Sequence, residues 1–243
     1  MMLKPRIIFS SGIMATGKST TLKALAQLID NAFYMDRDDI NQANLHVGIT
    51  PNDKLLPFEE YVAHADIFPG HIREVETPFG NMMQVDPHNA FYRRHMRDQS
   101  YLIQAYLAHT NLACGKVPII DCITMRQISD GTLRKFADHP FFKSYPKYHL
   151  HFCADEEDIY QRVTERSKGD ASAQKRVDLI PSDTRKASPT SSREAFHQFV
   201  TAEQPMIPLE LSQYRHFLMN TSLGKPEMNA RWCLEYVQSE DTL

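Results

Sequence analysis

The chain has 243 residues, 42% of them hydrophobic, with a net charge of −3 and a pI near 6.4. That length suits one large domain, or a core domain carrying an insertion. The acidic balance excludes the global basic field that would hold nucleic acid or an anionic membrane. No apolar run is long enough to span a bilayer. The opening "MMLKPRIIFSSG" is interrupted too soon for a secretion signal. Four cysteines, Cys114, Cys122, Cys153 and Cys233, lie far apart and form no CxxC pair, so reduced thiols and a cytoplasmic location are expected.

In chain order, "RIIF" (6–9) predicts a buried strand, and "SGIMATGKST" (11–20) follows it at once. Gly12-Ile-Met-Ala-Thr-Gly17-Lys18-Ser19 fits G-x-x-x-x-G-K-[ST] between a strand and a helix, which is the context this pattern requires. Glycines there let backbone N–H groups from Ala15 through Thr16, Gly17, Lys18, Ser19 and Thr20 turn inward around a phosphate. The helix that follows offers its positive end to the same anion. Lys18 is expected to face solvent until it meets the terminal phosphates, and the Ser19 hydroxyl to ligate magnesium. Leu22, Leu25, Ala26 and Ile29 then recur at helical spacing and predict one apolar face.

"AFYM" (32–35) reads as a second strand, and "FYMDRDDIN" sets Asp36, Asp38 and Asp39 at its C-terminal end. A phosphoryl acceptor needs a carboxylate there to orient its hydroxyl and take the proton, with Asp38 favoured. At least one of the three is expected to cap a helix instead. Residues 41–90 are rich in proline and histidine and show little periodicity, so they predict a functional insertion, helical or irregular. A long helix from about Phe91 to Ala113, stopped by Gly115, carries Arg93, Arg94 and Arg97 among aromatics and reads as an amphipathic helix with a charged outer face.

"VPIIDC" (117–122) predicts a strand ending in Asp121, which could hold magnesium directly or through water, or be a strand-end turn residue. Cys122 stands where an ATP-hydrolysing motor would carry a water-activating glutamate. "YHLHFC" (148–153) reads as a strand with His149 and His151 pointing the same way, and Asp155 as a cap for a helix from Glu156. In "DIYQRVTERSKGD", Arg162 and Arg166 share a helix face leading into a polar segment, 167–189, that reads as a flap able to bring them onto phosphate. "HFLMN" (216–220) is a fifth strand, and a last helix opens at Pro226 with Met228, Trp232 and Tyr236 on one side. Strands alternating with helices give an α/β three-layer fold around a five-stranded, mostly parallel sheet.

These features resemble the P-loop kinase superfamily, in the branch holding polynucleotide 5′-hydroxyl kinases, zeta toxins and gluconate kinases. The resemblance spreads over most of the chain, with the loop as its specific motif. It implies a single domain over 1–243, with 41–90 as an acceptor-side insertion and 162–187 as a lid. It implies that Asp38, first of the "DD" pair in "FYMDRDDIN", is the acid-base residue, and that Arg162 and Arg166 contact the donor phosphates. Asn41 stands where the polynucleotide kinases carry arginine, which with the acidic pI favours a small-molecule acceptor over a nucleotide sugar or nucleic-acid end. The expected activity is ATP- and magnesium-dependent transfer to a hydroxyl, with Lys18, Asp38 and Arg166 catalytic and with Ser19 and Asp121 on the metal. A nucleotide-binding regulator without transfer activity is the alternative.

Overall fold

The computed structural model describes residues 1–40, 46–47, 72–77, 80–85, 97–123, 131–169, 193–203 and 216–239. Its elements in chain order are β1 (Ile7–Ser11), α1 (Lys18–Leu28), β2 (Ala32–Asp36), β3 (His46–Val47), β4 (Ile72–Thr77), β5 (Gly80–Val85) and α2 (Arg97–Ala113). They continue with β6 (Val117–Ile123), α3 (Thr132–Ala137), β7 (Lys147–Cys153), α4 (Glu156–Gly169), α5 (Arg193–Glu203), β8 (His216–Asn220) and α6 (Pro226–Gln238). By contacts the chain divides into two compact units, one of Met1–Tyr34 with His109–Leu243 and one of Met35–Ala108.

The five strands expected from the apolar runs form one sheet in the order β2-β6-β1-β7-β8. β1 pairs in parallel with both β6 and β7, and β7 with β8. Every residue of β1 is buried, as the central strand of a sheet covered on both faces must be. On one face Ile8, Leu150, Phe152, Ile119 and Met219 pack with Leu22 and Leu25 of α1 and with Ala230, Cys233 and Val237 of α6. The apolar stripe of α1 is the expected one. In α6, Pro226 does open the helix, but its buried side is Asn229, Ala230, Cys233 and Val237. Met228 is exposed, while Trp232 and Tyr236 only flank the core. Gly115 ends α2 as expected: its N–H bonds the Leu112 carbonyl while Lys116 N–H reaches Asn111 O, the paired bonds of a Schellman stop. Residues 91–96, where that helix was expected to start, lie outside the described ones.

In the second unit, β3, β5 and β4 make a three-stranded antiparallel sheet, with β4 and β5 joined across Pro78-Phe79. The insertion was read as helical or irregular, and its described residues are strands instead. "IREVET" and "GNMMQV" are too polar and too weakly alternating to announce a strand without the partner that pairs them.

The opposite end of the main sheet, where the parallel strands begin, is closed by hydrogen bonds. Arg6 is fully buried: Nη1 donates to the Val237 carbonyl at 2.7 Å and to the Tyr148 hydroxyl at 3.4 Å, and Nε to Lys4 O at 2.9 Å. Asn31 ties Leu3 to the turn before β6, its Nδ2 donating to Leu3 O and Gly115 O, both at 2.8 Å, while Oδ1 accepts Leu3 N–H.

Candidate active site

The glycine loop leaves the C-terminal end of β1 and enters α1. Gly12 has φ +140°, and a Cβ there would lie 2.4 Å from the Phe152 carbonyl oxygen, so no larger residue fits against β7. Gly17 occupies the helix N-cap at φ 79°, ψ 8°, left-handed backbone that glycine enters without strain. Lacking a side chain, it places no capping oxygen on the first-turn N–H groups of α1. A phosphate oxygen can take that place. Between the glycines, Ala15 also turns left-handed (φ 60°), and the Thr16 hydroxyl closes the loop onto Ile13 O at 2.9 Å.

Lys18 does not face solvent. Its Nζ lies 3.0 Å from Oδ1 of Asp121, and the lysine side chain is only 16% exposed. Asp121, at the C-terminal half of β6, is 1% exposed, and its other oxygen accepts the Tyr34 hydroxyl at 2.8 Å. The residues read as phosphate-binding lysine and metal-binding acid are thus already joined, with a tyrosine from β2 behind the acid. Tyr34 escaped the sequence reading because "AFYM" reads as strand core. Only the placing of β2 beside β6 brings its hydroxyl to Asp121.

Arg162, half-buried on α4, reaches the loop from the far side. Its Nη1 donates to Ala15 O at 3.2 Å and to Thr221 Oγ1 at 3.1 Å, while Nη2 lies 3.6 Å from Asp158. Thr221, just after β8, donates its own proton to Thr16 O at 2.6 Å. A positive side chain expected on phosphate therefore holds the Ala15 carbonyl of the loop directly, and the Thr16 carbonyl through Thr221. Ile13 and Ala15 pack beneath with Ile159 and Val163 of α4 and Phe196 and Val200 of α5.

His149 and His151 do point the same way, and both converge on Ser11, the residue before Gly12. Ser11 Oγ is 2.6 Å from His149 Nε2 and 2.7 Å from His151 Nδ1. One hydroxyl has one proton, so it donates to one ring and accepts from the other. Donation to His151 with acceptance from His149 Nε2–H leaves only a lone pair on His149 Nδ1, which has no hydrogen-bond partner among the described residues. That is cheaper than an orphaned N–H. Burial, and then the neighbouring imidazoles, push His149 down to about 3; burial and His216 push His151 down to about 4. Both rings are neutral at neutral pH.

Asp36 Oδ1 accepts the Asp38 N–H at 2.9 Å, which makes Asp36 the cap of the helical turn that starts at Arg37. Asp38 and Asp39 are exposed. These residues fall in the unit 35–108, and Lys18, Asp121 and Arg162 in the other. The Arg166 side chain and residues 170–189 of the expected flap lie outside the described residues. Among the described residues no helix is long and apolar enough to cross a membrane.

The donor set fits a hard divalent cation, which takes oxygen ligands. Asp121 offers a carboxylate that already faces the positive charge of Lys18. Ser19, the second residue of α1, offers a hydroxyl at the same helix end.

No protein-family model and no curated protein sequence matches the chain. A solved structure from Chloroflexus aurantiacus J-10-fl, described as a "putative kinase", superposes at a TM-score of 0.53 with 13% identity, covering 98% of this chain and 99% of that one. The chain shares the three-layer α/β fold of that structure. Shikimate kinase from Acinetobacter baumannii in complex with shikimate matches at TM-score 0.47 and 14% identity, over 96% of this chain and 93% of that one. A gluconokinase from Sinorhizobium meliloti 1021 matches at 0.43 and 11%, over 97% and 93%. These last two superpositions are too loose to weigh on activity. In this fold Gly12 to Thr20 form the loop between β1 and α1.

Proposed function

We propose that the protein is an ATP- and magnesium-dependent phosphotransferase that moves the γ-phosphoryl group to a hydroxyl of a small molecule. The observation that carries this reading is the Lys18–Asp121 pair beside a left-handed Gly17 at the mouth of α1. Loop N–H groups and Lys18 would hold the donor phosphates, and Ser19 and Asp121 the metal, which when bound neutralises charge on the phosphates. Asp38 would orient the acceptor hydroxyl and take its proton as the acceptor oxygen bonds to phosphorus and ADP leaves. Arg166 would offset charge on the transferred group from a lid over 162–187, and 41–90 would form the acceptor side of a single domain. Arg162, which already holds the Ala15 carbonyl of the loop, would contact the donor phosphates as well. The acidic balance and Asn41 favour a small-molecule acceptor; a nucleotide sugar and a nucleic-acid end are the other candidates.

Acceptor-dependent ADP release, measured over a panel of hydroxylated metabolites, nucleotide sugars and 5′-hydroxyl oligonucleotides, tests the reading. Lys18→Ala should lower the rate by on the order of 10²-fold or more, as loss of a main electrostatic stabiliser does. Asp38→Asn should lower it by roughly 10²-fold, the scale of a general base, while nucleotide affinity holds. Nucleotide binding with no acceptor-dependent release across the panel would make the protein a nucleotide-binding regulator instead.

A further inference from the structure

Gly17 solves one problem for the loop and makes another. Its left-handed backbone, φ 79°, turns the chain into α1, but glycine enters positive and negative φ about as readily. The peptide joining Thr16 to Gly17 is therefore free, by itself, to rotate as a plane. It is trans, so the Thr16 C=O and the Gly17 N–H point in opposite directions. A half-turn of that plane would put a carbonyl lone pair where an anion needs a donor.

The Thr16 carbonyl is fastened from behind. It accepts the Thr221 hydroxyl at 2.6 Å, which leaves the Gly17 N–H directed to the side of the loop away from Thr221. Thr221 is itself fixed: it is 3% exposed, and its carbonyl accepts Asn229 Nδ2 of α6 at 3.3 Å, an amide that also donates to Gly224 O at 3.0 Å. Having given its proton to Thr16, the hydroxyl accepts Arg162 Nη1 at 3.1 Å, and the same nitrogen donates to Ala15 O at 3.2 Å. Accepting from a guanidinium polarises the hydroxyl and strengthens its donation. Both groups stand against the Gly17 Cα, where a Cβ would meet Nη1 and Oγ1 at 3.3 Å each.

We propose that Thr221 is a positioning residue of the donor site, a lock on the 16–17 peptide that keeps the Gly17 N–H turned toward the donor phosphates. The end of β8 thus contributes to anion binding without touching the anion, and Arg162 reinforces the lock through the shared hydroxyl. This rests on the phosphotransferase reading and names the residue that preorganises its loop. Preorganisation matters because a site that is competent for part of the time binds more weakly by that fraction.

The test is binding, so it needs no acceptor. Affinity for a non-hydrolysable ATP analogue with magnesium is measured by calorimetry, and thermal melts confirm that each variant is folded. Thr221→Val keeps the shape and removes the donor, so it should weaken binding about fivefold, the worth of one hydrogen bond biasing the plane. Thr221→Ser keeps the donor and loses the methyl, and should stay within about twofold of wild type. NMR of the free, isotope-labelled protein gives a readout that packing alone would not move. The Gly17 amide signal should be single in wild type and Thr221→Ser, and broadened or doubled in Thr221→Val as the plane gains its second orientation.

Loss of affinity with the hydroxyl, together with the altered Gly17 signal, supports the lock. If folded Thr221→Val binds as wild type does, or if the serine variant is as weak as the valine one, the lock is wrong and the phosphotransferase reading stands. If Thr221→Val does not fold, Thr221→Ala takes its place under the same criteria. If wild type binds no nucleotide with magnesium, both readings fail.

Discussion

β1 carries a cation at each end, and the two are held in opposite ways. Arg6, at the foot, is fully buried and donates to the Val237 and Lys4 carbonyls and the Tyr148 hydroxyl. Lys18, beyond the loop at the other end, is paired with a full negative charge on Asp121. Hydrogen bonds to two backbone carbonyls and a hydroxyl hold the planar guanidinium in one geometry, which makes it a fastening. A lysine beside a carboxylate is held by charge and is less bound to one direction. The cations before β1 and after its loop thus differ in the partners described for each.

The largest effect that could break this contrast is on stability. Arg6→Met should cost about 3 kcal/mol in denaturant unfolding, because it leaves buried carbonyls without a donor. No second substitution at its acceptors should restore the loss. Lys18→Met should also destabilise, by taking the ammonium away from the buried Asp121 carboxylate, but adding Asp121→Asn should return most of what was lost. Equal recoveries at both ends would erase the distinction.

A smaller effect follows from pH at the loop end. Unfolded histidines charge near 6.5, whereas folded His149 and His151 resist charging until about 3 and about 4. Below 6.5 the unfolded chain therefore binds more protons, and stability should fall as pH drops towards 4, with no contribution from these rings above 6.5. Each ring gives a slope of up to about 1.4 kcal/mol per pH unit. Denaturant unfolding of wild type and His151→Gln between those limits checks this, and parallel curves would show that the cluster is not what titrates. The smallest effect is expected at Thr221. Thr221→Val removes the hydroxyl shared by Arg162 and Thr16 O, and should cost about 1 kcal/mol in the same assay. A neutral result would mean that Arg162 holds the loop without it.

The main sheet was legible because its strands are buried on both faces and read as continuous apolar runs between helices. The loop was legible because its glycines answer to backbone geometry, which one chain's sequence records locally. What escaped depends on pairing. The same-side alternation of His149 and His151 was visible, but their partner is set by the β1–β7 register that puts Ser11 opposite His151. Tyr34 and Arg6 looked like strand filling and a strand flank, since the groups they bind are dozens to hundreds of residues away. Lys18 was expected in solvent because the pattern that identifies it says nothing of a neighbouring strand's carboxylate. Of the three aspartates after β2, a cap was foreseen, and which one it is required the turn itself.

The first glycine of the loop carries a consequence for what a phosphate-binding pattern records. Gly12 is confined by the Phe152 carbonyl of β7, and nothing about an anion enters that restriction. Gly17 meets only side-chain atoms, Arg162 Nη1 and Thr221 Oγ1 at 3.3 Å, in a backbone shape that disfavours other residues. A saturation library should therefore treat the two positions differently. Substitutions at 12 collide with a strand and remove the protein from the soluble pool. At 17, alanine or asparagine should survive as folded protein with a misshapen anion cradle. Half of the pattern is a seam between two strands, and only the other half concerns the ligand.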